Sequence, residues 1–238
     1  MVKIELKDLI LFEDQNYIVI NKPSQISTLD DRAGDTTSIL SLARAYHPES
    51  QMNHRLDKET TGALAIAKNP EAYRALSIQF EDRKVKKIYH AVCDGIHNFK
   101  DHTVKHAILT LTKGVVKIDN REGKPAETIF NTLNTFKSHT LVSCMPVTGR
   151  MHQIRIHLTS INAPITGDEQ YGGKPFFLSS VKKKFNLKKD TDELPLFRRV
   201  ALHAYALEFS LMNCELVKVK APYPKDFKIL IHQLEKNC

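Results

Sequence analysis

Five charged or hydrogen-bonding side chains cluster within Asn53–Lys68, the segment NHRLDKETTGALAIAK: His54, Arg55, Asp57, Lys58 and Glu59. The cluster runs directly into a mostly apolar stretch. Burying charge is costly unless the charge is paired or used. The pattern therefore indicates either a structural ion pair or a reactive site in which Asp57 serves as nucleophile or general base.

The composition is that of a basic globular chain. Of 238 residues, 42% are hydrophobic, which is enough for a sizeable core and argues against general disorder. Lys and Arg outnumber Asp and Glu by 35 to 27, a formal net charge of +8. That excess favours polyanionic partners, nucleic acid above all, although a soluble basic enzyme with another substrate also fits the charge.

Cysteine usage and hydropathy indicate the compartment. The four cysteines form no CxxC pair and read as reduced thiols. The N-terminal stretch MVKIELKDLILFEDQ carries acids within its apolar run, unlike a signal peptide, and no run approaches the length of a membrane span. We expect a cytoplasmic monomer with no membrane association.

The elements that position the cluster follow from periodicity and turn residues. LILFED and NYIVINK read as two strands with a tight connection. Thr36 or Thr37 is expected to cap a short helix through Ala45, and Asn69-Pro70 to open a helix to about Asp82. Between Lys84 and Val147, strand-like segments separated by Gly, Asn, Asp or Ser predict a run of antiparallel strands.

The remaining chain returns to helices and a strand pair. MHQIRIHLTSI reads as a helix that ends before Asn162, a residue tolerated at a left-handed C-cap. Residues 172–199 form a long basic insertion, ALHAYALEFSL and ELVKVKAP a strand pair, and KDFKILIHQLE a terminal helix. No linker divides the chain, so we predict one α+β domain over residues 1–238.

An ordered set of segments carries a resemblance. HRLDKETTGALAIAK resembles the RluA-type pseudouridine synthase signature, approximately HRLDxxTSGLLLxAK. INKPSQ resembles NKPxG, KKIYHAVCDG resembles KxYxAxVxG, and TGRMHQIRIHL with PITGDEQYG resembles TGRxHQxRxHL with PIxGDxxYG. LHAYALEF and APYPKDF resemble the closing motifs. The matches span about Asn21 to Phe227, and in register they are highly specific.

The departures from the family pattern are few. Gln25 stands where the family usually has Gly, so the loop after Lys22 could be shaped differently. Thr61 replaces Ser and keeps the hydroxyl, and Asn162 replaces a C-cap Gly. Because the motifs begin near residue 20, we expect none of the N-terminal S4 domain that precedes many relatives.

The resemblance implies a fold and an activity. The fold is the pseudouridine synthase fold, a mixed, mainly antiparallel central sheet with helices and loops around a cleft. The activity isomerises uridine to pseudouridine in structured RNA, either ribosomal RNA, transfer RNA or both. The N1–C1′ bond breaks and uracil rejoins through C5, so no cofactor or metal is expected. His152 and His157 lie on different helix faces and no HExxH is present, which likewise disfavours a metal site.

The resemblance also assigns catalytic roles. Asp57 is the essential carboxylate, and attack on C1′, addition to C6 and assisted elimination all stay open. Arg155 is the cation that keeps Asp57 ionised. Tyr89 could stack on uracil and relay the C5 proton. Without the motifs, Arg155 would read as a surface arginine and Tyr89 as a core tyrosine.

RNA contacts are expected from basic side chains. A uridine in folded RNA must be flipped out, and the resemblance gives Arg55 a part in this. His54 either orients its loop or touches a phosphate, and Arg150 is a further expected contact. The lysine strip VKKKFNLKK, through Lys182, Lys183 and Lys184, is either a phosphate-contacting arm or a solvated loop.

Two other functions compete. A non-catalytic RNA-binding or ribosome-assembly factor could keep the same fold without using Asp57. A hydrolase using Asp57 with His54 ranks last, because no oxyanion motif supports it.

Overall fold

Two compact units make up the protein. A computed structural model describes residues 4–30, 37–183, 185–187 and 191–237. The first unit comprises Met1–Ile88 with His203–Pro222, and the second Tyr89–Leu202 with Tyr223–Cys238. A single catalytic domain over residues 1–238 stays a prediction. Within the described ranges, no helix is both long and apolar enough to cross a bilayer.

The described residues form eleven strands and four α-helices. The strands are β1 Ile10–Glu13, β2 Tyr17–Lys22, β3 Thr61–Ala67, β4 Lys86–Asp94, β5 His102–Val104, β6 Ile108–Thr110, β7 Val116–Ile118, β8 Thr128–Thr135, β9 His139–Pro146, β10 Leu202–Ser210 and β11 Leu216–Lys220. The helices are α1 Ile39–Tyr46, α2 Pro70–Glu81, α3 Gln153–Ser160 and α4 Lys225–Lys236.

The first unit is built on a mixed sheet. Strands β1, β2 and β3 pair antiparallel in chain order, β3 pairs in parallel with β10, and β10 pairs antiparallel with β11. All seven residues of β3 are buried, as is typical of a strand covered on both faces. Helix α2 packs Ala72 and Leu76 into the same core as Tyr17 and Phe209.

Both helices of the first unit begin with side-chain caps. Asn69 accepts the Ala72 N–H ahead of Pro70 in the first turn of α2, which confirms the prediction for this helix. Helix α1 is capped by Ser38 in a reciprocal capping box with Ser41. The expectation of a cap at Thr36 or Thr37 was therefore wrong, because a hydroxyl closer to the apolar run takes that position.

The second unit is antiparallel. Strands β4, β9, β8 and β5 pair in that order, and β6 pairs with β7 in a separate hairpin. Phe130, Val142, Leu158 and Phe227 lie in its core, to which α3 and α4 contribute. Across both units the pairing is mixed and mainly antiparallel, so the predicted α+β class is confirmed. The three-residue strand β5 was not predicted, because it is too short to show alternation.

At Gly62 the backbone of β3 lies against the backbone of β10. The φ of Gly62 is +113°, and a Cβ placed on it would lie 2.2 Å from the carbonyl oxygen of Ala204. This residue follows the Asp57 loop directly, so the backbone contact fixes where the loop enters the sheet. Any side chain at position 62 would push the two strands apart.

We expect Gly62→Ala to lower the free energy of unfolding by more than about 3 kcal/mol, since it combines backbone strain with a backbone clash. Gly172→Ala is the matched control, because Gly172 has φ +89° but a Cβ placed on it would meet no atom within 4 Å. That control should cost about 1–2 kcal/mol. Urea unfolding measures both changes, and equal losses would contradict the importance of the strand contact.

Candidate active site

The loop that carries Asp57 is held by hydrogen bonds to its backbone. Asp57 is half-buried, and its carbonyl accepts the Thr60 N–H at 3.1 Å. Just before it, the Thr28 hydroxyl donates to the Leu56 carbonyl at 2.8 Å and accepts the Leu56 N–H at 3.1 Å. The Leu56 side chain is buried. The carboxylate therefore projects from a backbone that is fixed on its N-terminal side.

A buried ammonium group holds the other side of the loop. Lys22 ends β2 and is fully buried, and its Nζ donates to the carbonyls of Pro23 at 2.9 Å, Lys58 at 3.2 Å and Thr60 at 2.9 Å. Hydrogen bonds from a charged donor are stronger than neutral ones. A positive charge is thus fixed inside the turn from which Asp57 extends.

Gln25 belongs to the same arrangement. Its N–H donates to the Lys58 carbonyl at 2.9 Å, and its φ is 68°. Glycine enters this left-handed conformation more readily than glutamine does. The replacement of the family's glycine therefore does not by itself require another loop shape.

A buried polar chain follows where β3 begins. The Thr61 hydroxyl lies 2.8 Å from Nδ1 of His203, whose Nε2 lies 3.1 Å from the Ala221 carbonyl. Because a carbonyl can only accept, Nε2 carries the proton, and in the neutral ring Nδ1 accepts from Thr61. Both side chains are buried, so the chain satisfies groups that would otherwise be costly there.

The His54 side chain makes its contacts within the first unit. Its Nε2 accepts the Ala65 N–H at 3.0 Å, and its ring lies 4.8 Å from that of Phe80. A nitrogen that accepts a backbone N–H is unprotonated. Burial, with a smaller contribution from the Lys87 charge, lowers the pKa of His54 to about 3. The imidazole is therefore neutral at neutral pH.

The other predicted RNA-contacting side chains are exposed. Arg55 lies on the loop beside Asp57, and Lys182 and Lys183 follow a short turn of the second unit. Arg150 is also exposed, and its Nε donates to the Pro125 carbonyl at 3.2 Å. Lys184 lies outside the described residues.

Tyr89 begins the part of β4 that belongs to the second unit. It pairs with Cys144 of β9, is half-buried, and packs at the margin of the second unit's core. The neighbouring His90 side chain is buried and is hydrogen-bonded through Nδ1 to the Tyr223 hydroxyl. Alternation along the strand thus sends consecutive side chains to different surroundings.

Arg155 is a buried arginine, not a surface one. It lies in α3, where every residue from Gln153 to Leu158 is buried. Its Nε and Nη2 donate to the two carboxylate oxygens of Asp168, each at 2.7 Å, and Nη2 also donates to Gln170 at 3.1 Å. The guanidinium carbon lies 4.9 Å from the centre of the Tyr171 ring. The predicted cation is therefore held by a planar, bidentate ion pair.

The structure places His54, Arg55 and Asp57 on one loop of the first unit, and Tyr89, Arg150 and Arg155 in the second unit. Convergence of Asp57 with Tyr89 and Arg155 stays a prediction. Lys22, His203 and Asp168 were not predicted as parts of the site. Lys22 and Asp168 each stand inside a family motif, and a charged residue between apolar or glycine neighbours was the available signal.

The chain is similar to a known family over most of its length. It matches the family model described as RNA pseudouridylate synthase over residues 16–160. The ribosomal large subunit pseudouridine synthase C of Salmonella typhi is 34% identical, over 98% of this chain and 72% of that protein. The ribosomal large subunit pseudouridine synthase D of Haemophilus influenzae is 34% identical, over 96% of this chain and 71% of that protein.

Two solved structures are similar in fold. Human RNA pseudouridylate synthase domain containing 4 has a TM-score of 0.71 and 25% identity, covering 97% of this chain and 94% of that one. Human RNA pseudouridylate synthase domain containing 1 has a TM-score of 0.68 and 26% identity, covering 94% and 87%. The matched family region includes the segment around Asp57.

We expect Lys22→Met to lower the free energy of unfolding by about 2–4 kcal/mol. Methionine keeps most of the apolar stem but leaves three carbonyls without their charged donor. Lys58→Met is the control, because the Lys58 side chain is exposed, and it should change stability by about 0.5 kcal/mol or less. Equal stability of the two variants in urea would exclude Lys22 as the clamp of the loop.

The lowered pKa of His54 predicts a pH dependence of stability. Between pH 6.5 and 3 the unfolded chain binds a proton at His54 that the folded chain does not, so stability is full above pH 6.5 and falls as the pH falls. His54→Gln keeps an acceptor for Ala65 but cannot titrate. From pH 6.5 to 5, the wild type should lose about 1–2 kcal/mol more than this variant.

Urea unfolding at several pH values measures that difference. His139 and His157 have pKa values that burial also lowers, but they are common to both proteins and cancel. His232→Gln, the same substitution at an exposed position of α4, is the matched control for the change of side chain. Parallel stability curves for wild type and His54→Gln would show that the imidazole is not held neutral.

Proposed function

Because this chain belongs to the RluA-type family of RNA pseudouridylate synthases, we propose that its substrate is ribosomal RNA of the large subunit. The chain is an isomerase that converts uridine in RNA to pseudouridine. The observation that carries the choice of substrate is the 34% identity, over 98% of the chain, with a ribosomal large subunit pseudouridine synthase. Transfer RNA as a further substrate, a cytoplasmic location and a monomeric state stay predictions.

Asp57 is the proposed catalytic carboxylate. Its support is the fixed loop: Thr28 holds the residue before it, and Lys22 holds the carbonyls of the residues after it. A carboxylate on a rigid backbone reaches a reacting carbon in one geometry, which lowers the entropic part of the barrier. Attack on C1′, addition to C6 and assisted elimination at the sugar all need this ionised group.

Arg155 and Tyr89 are the proposed partners of Asp57. A guanidinium remains protonated at any relevant pH, so Arg155 supplies a permanent positive charge that favours the ionised carboxylate. Tyr89 offers a ring for stacking on uracil and a hydroxyl for relaying the C5 proton. The support for both is their place in the family motifs and, for Arg155, the buried ion pair that keeps it in one orientation.

The basic surface residues divide into two proposed roles. Arg55, exposed beside Asp57, assists removal of the uridine from the helical stack. Arg150, Lys182 and Lys183 contact phosphates, and their contribution falls as salt rises. His54 orients the loop rather than binding RNA, because its Nε2 is occupied by the Ala65 N–H. Lys184 is proposed to contact phosphate as well, and it lies outside the described residues.

We expect Asp57→Asn to lower the rate of pseudouridine formation by about 10³-fold or more, with RNA affinity unchanged, because the amide keeps the shape of the side chain but loses its charge. The substrate is total RNA from cells lacking the protein, and pseudouridine is mapped before and after treatment with pure enzyme. Asp82→Asn makes the same change at an exposed carboxylate and should retain full activity.

The same experiment separates the competing functions. A wild-type protein that binds this RNA but forms no pseudouridine would support a non-catalytic factor. New pseudouridine in transfer RNA alone would overturn the proposed substrate. Full turnover by Asp57→Asn would remove Asp57 from the chemistry while leaving the family assignment in place.

A further inference from the structure

The β6–β7 hairpin exposes two apolar side chains at its tip. Leu111 and Val115 face each other across the turn, where the Leu111 N–H donates to the Val115 carbonyl at 2.8 Å, and both residues are 41% exposed. The turn between them contains Gly114, on which an added Cβ would meet no atom within 4 Å. Single exposed apolar residues are common, but this pair forms an apolar edge at the end of an open turn.

The hairpin is held by packing against α3. Ile108 and Val116 are buried in a small core together with Ile156 of that helix. At the base of the hairpin, Ile108 exchanges two backbone hydrogen bonds with Lys124, at 3.0 and 2.9 Å. Because Ile156 directly follows Arg155, the hairpin is fixed to the helix that carries the proposed cation. Its tip is therefore presented by a supported element.

The hairpin and its flanking turn are basic. Residues 105–124 contain five Lys or Arg against two Asp or Glu, so this short segment carries +3 of the net charge of +8. One of the two acids, Asp119, is engaged locally, since its Oδ2 lies 3.0 Å from Nζ of Lys117. Arg121 and Lys124 are exposed. The apolar tip thus extends from a positively charged base.

This combination of charge and apolar surface fits RNA better than it fits a second copy of the chain. In a two-fold dimer the same patch meets itself, so the positive segments of both copies would be brought together and would repel each other. RNA supplies a match for both parts of the hairpin. Its phosphates attract Lys and Arg, and the faces of its bases accept apolar side chains.

We propose that the β6–β7 hairpin is an RNA-binding arm, in which Leu111 and Val115 pack against bases outside the target uridine while Arg121 and Lys124 contact phosphates. The inference rests on the proposed function, because the RNA that the arm binds is the substrate. It adds a contact made by apolar side chains, which the basic residues proposed above do not supply. Apolar side chains placed between bases keep them partly unstacked.

A tryptophan at the tip tests the base contact directly. The chain contains no tryptophan, so the fluorescence of a single indole reports on one position. We expect Leu111→Trp to lose emission when ribosomal RNA from cells lacking the protein is added, because stacking on bases quenches an indole. Leu216→Trp is the matched control, since Leu216 is more exposed, at 61%, and lies on β11 of the first unit. Its emission should stay constant.

Affinity for the same RNA tests the two parts of the arm separately. Replacing Leu111 and Val115 together by Ala should weaken binding about 5–10-fold, since apolar groups that leave water on binding are lost. Arg121→Gln and Lys124→Gln should each lower the slope of log affinity against log salt by about 1. Lys228→Gln, at an exposed position of α4, is the control and should leave the slope unchanged.

Equal quenching of Leu111→Trp and Leu216→Trp, or no quenching of either, would overturn the proposal. Emission of Leu111→Trp that depends on protein concentration without RNA would assign the tip to contact between copies and would also overturn it. Val115→Trp replaces Leu111→Trp if the latter does not fold.

The binding assays do not depend on pseudouridine formation, so they separate this inference from the proposed function. Full modification of ribosomal RNA without quenching at the tip would contradict the arm alone. Quenching at the tip without any new pseudouridine would support the arm and contradict the proposed function.

Discussion

The position of Asp57 depends on a buried lysine. Nζ of Lys22 binds the Pro23 carbonyl beside it and the Lys58 and Thr60 carbonyls that follow Asp57, and these three bonds offset the desolvation of the ammonium group. These bonds hold the loop backbone in place and therefore set the position from which the Asp57 carboxylate extends. The same lysine ends β2, so the geometry of the reactive group is tied directly to the register of β2 with β3.

The second unit also contains a buried cation whose charge is paired, Arg155. Arg155 is fixed by a carboxylate and by an aromatic face, where Lys22 is fixed by backbone carbonyls. The choice follows from shape: an ammonium group gathers carbonyls from several directions, whereas a planar guanidinium matches a carboxylate edge to edge. In both units the hydrogen bonds that pair the buried charge also link separate segments of the chain.

The secondary structure was largely predictable because it depends on local patterns. The apolar runs of β8 and β9 with the turn residues between them, and the Asn69-Pro70 start of α2, are visible within a few residues. The partners of the buried charges were not. Lys22 binds residues up to 38 positions away, and Thr61 meets His203 across 142 positions. Periodicity carries no information about such distances, so the motif residues were identifiable while what orients them was not.

The same distinction explains which departures from the family pattern are tolerated. Gln25 can replace a glycine because its contribution is a backbone N–H to the Lys58 carbonyl, with the side chain outside that bond. Thr61 can replace serine because a hydroxyl suffices for His203. Gly62 allows no such freedom, since the Ala204 backbone occupies the space of a side chain. Around this site, a position tolerates few substitutions when its side chain makes a contact, or when a neighbouring backbone leaves no space for a side chain.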